Sequence, residues 1–154
     1  MPPASFRVNI VVDAPPETIF PYVSDLTRHG EWSSDPVDIR AMSAGPIAVG
    51  SRYRSTARSH GATFTTELVV TRYELPACFA FEGEDATGKF RHIFTFQLRD
   101  GVTLVTREIR FSANLGQWLV FFLVLYPVRL PSARRTLQLL KQKVEGDLRA
   151  KPPA

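Results

Sequence analysis

Two polar side chains, His92 and Arg107, fall on the apolar face of a predicted β-hairpin, where they could bind a ligand or take part in a reaction. Aromatic and polar residues alternate through 90–98, and Asp100-Gly101 is a strong signal for a two-residue type I′ turn. With that turn, Arg107 lies opposite Phe94 and on the same face as His92. An imidazole in such a place can orient a ligand or shuttle a proton, and a guanidinium can bind an anion or a carbonyl oxygen.

Each of these residues also has an interpretation that involves no ligand. His92 could be a core histidine whose ring is satisfied by a backbone carbonyl or by water. A guanidinium in an apolar interior is destabilising unless it is paired. Arg107 must therefore reach an internal acid such as Glu82, reach the rim of the sheet, or await an anionic or carbonyl-bearing ligand. Our hypothesis is that Arg107 and His92 form the polar end of an otherwise aromatic pocket.

Aromatic side chains are numerous around this face, and they would form the wall of the pocket. Each one alone is also explained as ordinary core, but together they exceed what a small sheet needs. Ser55, Ala57 and Ser59 make the inner face of one strand unusually small, which leaves volume unfilled. The predicted lining is Trp32, Tyr53, Phe64, Phe90, His92, Phe94, Phe96, Arg107, Phe111 and Trp118.

Standard catalytic and cofactor signatures are missing from the sequence. It contains no glycine-rich phosphate loop, nucleophile elbow, His-Glu-x-x-His motif or metal-spaced cluster. The three histidines are far apart, and His29 and His60 are predicted at surface turns. The sequence therefore predicts neither a metal nor a cofactor, and it leaves any catalytic residue unassigned.

The elements that must position these residues are a strand, two short helices, six further strands and a long helix. Residues 6–12 alternate as a half-buried strand does, and a helical stripe follows through Ile19, Phe20, Val23 and Leu26. The later strands are predicted to pair as β-hairpins. The predicted pairs are Ala57–Phe64, Ser55–Thr66, Tyr53–Leu68 and Arg54–Glu67 in one hairpin, and Phe96–Val105, Phe94–Arg107, His92–Ile109, Phe90–Phe111, Thr95–Thr106 and Ile93–Glu108 in another.

The stretch from Asn114 to Arg149 is predicted to be helical in two pieces that separate at Pro127 and Pro131. The second piece carries an apolar stripe whose steps of three and four residues place it on one helix face. A long helix laid on the inner face of a curling antiparallel sheet would bury that face. The fold class is therefore α+β. The stripe is Ala133, Leu137, Leu140, Val144 and Leu148.

The run 118–126 is apolar on all sides, which is typical of a helix that is buried or covered by a partner. We predict a cavity lid that also forms a homodimer contact, with docking to a membrane surface as the alternative. The slightly longer run 118–128 is shorter than the roughly 20 residues that a membrane span needs.

The length of 154 residues fits one domain over residues 1–154. Cys78 is the single cysteine, and the first residues show no secretory leader, so a cytoplasmic location is predicted.

The net charge of +4 is concentrated in 127–154, which contains seven basic and two acidic residues. That segment is either a solvated helix face or a surface attracted to lipid headgroups. Nucleic-acid binding is not predicted, because no recognition motif is present.

Five segments carry a resemblance to a known family: Val8–Val12, Ala14–Phe20, Ser24–Leu26, Glu31–Ser33 and Gly50–Tyr53. Together they resemble the polyketide cyclase/dehydrase branch of the START-like (SRPBCC) superfamily, over essentially the whole chain. The resemblance implies a helix-grip fold, in which a curved antiparallel sheet of about seven strands grips a long C-terminal helix around an apolar cavity. It implies a small hydrophobic ligand but no catalytic residue, because the family has no shared catalytic motif.

Three functions stay open at this point. The first is a module that binds an aromatic, polyketide-like or lipid-like molecule. The second is a cyclase or dehydratase in which His92 and Arg107 polarise the carbonyls of a polyketide-like substrate. The third is a peripheral carrier of lipids or quinones that uses the apolar run and the basic tail at a membrane.

Overall fold

The computed structural model describes residues 4–59, 61–85, 88–112 and 114–151, and in them seven strands form one antiparallel sheet. The strands are β1 (Ala4–Val12), β2 (Val37–Ala41), β3 (Arg52–Ser59), β4 (Ala62–Glu74), β5 (Cys78–Asp85), β6 (Gly88–Arg99) and β7 (Val102–Ser112). Their order across the sheet is β1-β7-β6-β5-β4-β3-β2. The helical elements are α1 (Pro16–Ser24), a 3-10 helix (Leu26–Glu31), α2 (Leu115–Val120), a π-helical segment (Phe121–Leu125) and α3 (Tyr126–Ala150). The predicted helix-grip architecture is confirmed.

The registers of both predicted hairpins are confirmed at every predicted pair. Glu67 lies opposite Arg54 and also accepts a hydrogen bond of 2.6 Å from Arg52 on the outer face. A slip of one residue would move every side chain of a strand to the other face of the sheet. The correct register therefore places His92 and Arg107 together on the inner face.

Helix α1 covers one end of the inner face. Pro16 lies in the first turn, where its missing N–H removes no helical hydrogen bond, and Glu17 suits the helix dipole there. Ile19, Phe20 and Val23 are buried. The ring of Phe20 contacts aromatic rings on the sheet, so this end of the molecule is filled by side chains.

Helix α3 lies across the sheet as its stripe predicted. Four members of the stripe are buried and Leu148 is partly buried. Polar contacts fix the helix to the end of β1: Lys141 donates to the carbonyl of Val11 at 2.7 Å, and the backbone N–H of Asp13 donates to Glu145 at 2.9 Å. The C-terminal half of α3 is therefore firmly attached to the sheet.

The predicted break at Pro127 and Pro131 is wrong, because the helical backbone runs from Leu115 to Ala150 without interruption. Each proline lacks the N–H that would bond four residues back. Just before Pro127, the helix widens into a π turn. The backbone N–H of Tyr126 donates to the carbonyl of Phe121, five residues back, where an α-helix would use the carbonyl four residues back. Both prolines lie on the exposed side of the helix, where water can satisfy the carbonyls that lose a donor.

His29 is not at the surface turn that was predicted for it. It lies in the 3-10 helix, is 9% exposed, and its ring centre is 4.3 Å from that of Trp32. The 3-10 helix packs against β2, and this contact turns the histidine inward. His60, the other histidine predicted at a turn, lies outside the described residues.

Candidate functional site

A cavity of about 230 Å³ lies between the inner face of the sheet and α3, and every strand contributes to its wall. Apolar and polar residues contribute to the wall in nearly equal numbers, so it contains more polar side chains than the aromatic pocket that was predicted. The apolar members are Phe6, Val37, Ile39, Ala57, Leu68, Phe81, Phe90, Ile109, Phe111 and Ala133. The polar members are His29, Ser33, Asp35, Ser55, Thr66, Asp85, His92, Arg107, Arg129, Ser132 and Thr136.

Arg107 and His92 meet inside this cavity. Nη2 of Arg107 lies 2.9 Å from Nδ1 of His92. Because a guanidinium only donates, Nδ1 accepts and the ring proton resides on Nε2. The guanidinium carbon is 5.5 Å from the centre of the Phe94 ring, within the range of a cation–π contact. Arg107 is 7% exposed, and its Nε has no hydrogen-bond partner among the described residues.

Burial decides which member of this pair carries a charge. It lowers the pKa of Arg107 to about 10, with a further lowering by the charge of Arg129, so the guanidinium stays protonated at neutral pH. Burial, and next the charge of Arg107, hold the pKa of His92 well below its usual 6.5, so the imidazole is neutral. The cavity therefore contains a positive charge beside a neutral donor–acceptor group.

Neither an ion pair with Glu82 nor a position at the rim describes Arg107. Glu82 lies on the outer face, where it accepts a hydrogen bond of 2.8 Å from Arg91. The rim is excluded because Arg107 is buried. Asp35 acts on the guanidinium through its charge, which raises the pKa of Arg107, but its carboxylate accepts a hydrogen bond from Ser132 at 2.9 Å.

A hydrogen-bonded clasp, formed by Ser34, Asp35, Ser132 and Thr136, ties the loop after the 3-10 helix to α3 beside the cavity. The N–H of Ser34 donates to Oγ1 of Thr136 at 3.1 Å, and the hydroxyls of Ser34 and Ser132 are 2.9 Å apart. Thr136 also donates to Oγ of Ser34 at 3.0 Å. Because Asp35, Ser132 and Thr136 line the cavity as well, the clasp closes one of its sides.

The cavity brings together Phe90, His92, Arg107 and Phe111 of the predicted lining residues. Ser55 and Ala57 also line it, as their small size predicted. The side chain of Ser59 lies outside the described residues. The assignment of side chains to the inner face of the sheet thus identified the pair of His92 and Arg107. The small side chains of β3 identified a further part of the wall.

The other six predicted lining residues do not line the cavity. Alternation assigns a side chain to a face of the sheet but does not say how far along the strand the cavity extends. Phe94 and Phe96 are on the predicted face but in core packing, and Phe96 contacts Phe20 of α1. Trp32 and Tyr53 are also buried core, Phe64 is 50% exposed, and Trp118 of α2 packs against Phe122.

Several lining residues were not predicted from the sequence. Phe81 was missed because Cys78–Phe81 is buried at every position, so β5 has no alternation to reveal its inner face. Asp35, Arg129 and Ser132 reach the cavity only through the packing of a loop and a helix against the sheet. Spacing within one element could not have found them.

Neither a metal site nor a catalytic residue follows from this arrangement. Within the part of the chain that the structure describes, no group of three or more His, Cys, Asp or Glu side chains could hold a metal ion. The groups that can act on a ligand are hydrogen-bonding side chains and the positive charges of Arg107 and Arg129. Such groups bind or polarise a carboxylate or carbonyl oxygen.

Known structures with this fold are numerous. The protein TTHA0849 from Thermus thermophilus aligns with a TM-score of 0.72 at 15% identity, over 94% of this chain and 99% of that one. Ms6760 from Mycobacterium smegmatis aligns with a TM-score of 0.69 at 16% identity, over 93% and 92%. The di-domain ARO/CYC StfQ from the steffimycin biosynthetic pathway aligns with a TM-score of 0.67 at 12% identity, over 91% of this chain and 44% of that one. At these identities the likeness establishes the fold alone.

Sequence comparison gives the family. A search of curated proteins found no match. The family described as polyketide cyclase/dehydrase and lipid transport matches residues 3–145, which is most of the chain. The family match and the fold both agree with the resemblance that the sequence shows. The chain therefore belongs to the polyketide cyclase/dehydrase and lipid transport family.

Proposed function

We propose that this protein binds a compact apolar molecule with an anionic or carbonyl group, and that Arg107 holds the polar end. The observation that carries the proposal is the buried, protonated guanidinium whose Nε has no partner among the described residues. A buried charge is destabilising unless it is compensated, and a ligand oxygen would supply the missing acceptor. Arg129 adds a second positive charge to the cavity wall, which favours an anionic group further.

The cavity volume supports a small ligand. Cavities of about 150 Å³ can hold benzene, and sites for drug-sized ligands begin at about 300 Å³. A cavity of about 230 Å³ lies between these values. A molecule with one or two rings therefore fits better than a long acyl chain, and we favour an aromatic or polyketide-like ligand over a lipid.

The proposal is tested with a matched pair of probes, naphthoate and methylnaphthalene, which differ in the carboxylate. We expect calorimetry to show at least about tenfold tighter binding of naphthoate, since a charge-assisted contact contributes at least about 1.5 kcal/mol. Arg107→Leu should remove the preference, and His92→Phe should weaken it. The matched control is Arg91→Leu, on the outer face of the same hairpin, which should keep it.

Melting temperatures measured on the same variants separate binding from folding. Arg107→Leu removes a buried charge but leaves Nδ1 of His92 without its donor, so the melting temperature shows whether weaker binding comes from a loss of folding. If Arg107→Leu and His92→Phe bind naphthoate as well as the unaltered protein does, the proposal is wrong. Native mass spectrometry of the purified protein complements this test, because a co-purified molecule would identify the ligand directly.

A cyclase or dehydratase reaction is the second candidate, and the neutral imidazole beside Arg107 favours it. A neutral histidine can accept or donate a proton while a neighbouring guanidinium polarises a carbonyl. If the protein is an enzyme, His92→Phe should abolish turnover of a polyketide-like substrate while calorimetry still detects its binding. Binding without turnover by the unaltered protein would leave the binding module as the function.

A further inference from the structure

The first half of the long helix presents an apolar surface to solvent. We call it the helix surface; its members and their exposed fractions are Leu115 (59%), Leu119 (48%), Val120 (54%), Leu123 (75%), Val124 (59%) and Val128 (69%). Large contiguous apolar patches of this kind mark interaction sites. Helix α2 has no buried residue at all, so the sheet does not account for these side chains.

The same helix is anchored at its other end. An 18-residue window of Leu115–Ala150 is apolar enough to cross a membrane, and only 6% of it is buried. Further along, Leu137, Leu140 and Val144 are packed into the core. A helix fixed to the sheet in this way cannot cross a bilayer without pulling away from the core. Its exposed half can instead lie in the interfacial region of a membrane.

Positive charge continues directly from the helix surface. Residues 114–144 contain Arg129, Arg134, Arg135, Lys141 and Lys143 and no acidic residue. Arg134 and Arg135 are exposed, and they follow Pro127 and Pro131 at the spacing that keeps residues on one side of a helix. An apolar helix face with adjoining basic side chains is the pattern of segments that dock on anionic lipid.

A second copy of this chain is a poorer fit to the same surface. In a symmetric dimer the facing segment would be the same 114–144 stretch, which offers no acidic partner to Arg134 or Arg135. The headgroups of an anionic membrane offer many negatively charged partners to these arginines. Charge complementarity therefore selects the membrane.

We infer that the helix surface inserts into the interface of an anionic membrane, with Arg134 and Arg135 at the level of the lipid headgroups. Arg129 and Ala133 of the same helix line the cavity. Docking in this orientation would hold the cavity close to the membrane, where apolar molecules partition. The inference does not depend on the ligand of the cavity, and it can fail or hold independently of the proposed function.

The test is sedimentation of the full-length protein with vesicles. Phosphatidylcholine vesicles with about 30% phosphatidylglycerol supply the anionic surface, and pure phosphatidylcholine vesicles are the neutral comparison. We expect binding to the anionic vesicles at about 20 mM salt and its loss at about 500 mM. The variant Leu119→Trp provides a second readout, since the emission of a tryptophan on the helix surface should shift to the blue on docking while Trp32, which is 1% exposed, stays silent.

Matched variants separate the apolar and the basic contributions. Leu123→Asp should lower the partition coefficient at least about tenfold, by removing an inserted side chain and adding a negative charge. Its control is Leu98→Asp, which alters a 60% exposed leucine near the end of β6 and should have no effect. The double variant Arg134→Gln/Arg135→Gln should lose about 30-fold. The double control Arg40→Gln/Arg99→Gln removes as much charge from exposed strand positions and should lose far less.

Three outcomes would overturn the inference. One is failure of the unaltered protein to sediment with anionic vesicles at low salt. Another is an equal loss of binding in Leu98→Asp and Leu123→Asp. The third is a dimer in sedimentation equilibrium that Leu123→Asp dissociates, without vesicle binding, which would assign the helix surface to a second copy.

Discussion

Burial acts in the same direction on His29, His92 and Arg107, three of the four basic side chains at the cavity, but with different results. It lowers the pKa of His29 to about 3 and that of His92 well below 6.5, so both imidazoles are neutral, whereas Arg107 starts high enough to remain charged with a pKa of about 10. The charge of Arg107 lowers the pKa of both histidines further. Burial first, and then the charge of Arg107, thus keep both imidazoles neutral, and this arrangement has a consequence for stability.

We predict that the free energy of unfolding falls as the pH falls below about 6.5. In the unfolded chain a histidine binds a proton near its usual pKa of 6.5, whereas folded His29 stays neutral down to about 3. Unfolding is therefore favoured across that interval, by about 1.4 kcal/mol per pH unit for each histidine. Urea denaturation at several pH values between about 7 and 5 measures the slope, because the carboxylates with lowered pKa values respond only below that range.

The variants His29→Phe and His92→Phe should each reduce this slope by the contribution of one histidine. The ring of His29 already packs against Trp32, and its Nδ1 has no partner among the described residues, so phenylalanine can take its place without loss of a hydrogen bond. An unchanged slope in both variants would show that the histidines are not the source of the pH dependence.

Among the elements, the clasp is the connection that sequence patterns could least foresee. Ser34 and Thr136 are 102 residues apart and belong to a loop and a helix. We predict that Thr136→Val, which preserves the shape of a buried side chain, lowers the free energy of unfolding by about 1–2 kcal/mol, because the N–H of Ser34 loses its acceptor. Hydrogen exchange at Ser34 should accelerate.

The matched control for the clasp is Thr65→Val, an exposed threonine on β4. It should change neither stability nor exchange at Ser34. Unchanged exchange in Thr136→Val would mean that the loop is held by other contacts, and that the clasp does not close this side of the cavity.

The strands were predictable from sequence where one face of the sheet is buried and the other is exposed to solvent. Alternation and the Asp100-Gly101 turn gave the pairing of β6 with β7 residue by residue, and with it the meeting of His92 and Arg107. The two predictions about the fold that failed depend on a local change of helix type and on a contact between elements. The helix continues past Pro127 because a π turn precedes it and water can reach the freed carbonyl, and His29 is buried because its helix packs on β2.

At the scale of the whole molecule, the fold maintains a cavity beside a filled core. An empty apolar cavity of about 230 Å³ would cost on the order of 5 kcal/mol of stability. The polar side chains of the wall reduce this cost, because water can occupy a cavity that offers it hydrogen-bond partners. Small side chains on β3 keep the volume open where large ones would fit the sheet equally well. The open volume does not serve stability, and it is what the proposed binding of a ligand requires.

The opposition between stability and ligand binding can be tested by filling the cavity with a larger side chain on β3. We predict that Ala57→Leu raises the melting temperature by about 2–6 °C, because the new side chain buries apolar surface in existing space. The same variant should bind naphthoate at least about tenfold more weakly, because ligand and leucine compete for one volume. Ala41→Leu, at an exposed position of β2, is the control and should alter neither quantity. A melting temperature that rises while naphthoate affinity stays unchanged would place the ligand elsewhere, since the two effects can separate only if the molecule does not occupy the cavity that Ala57 lines.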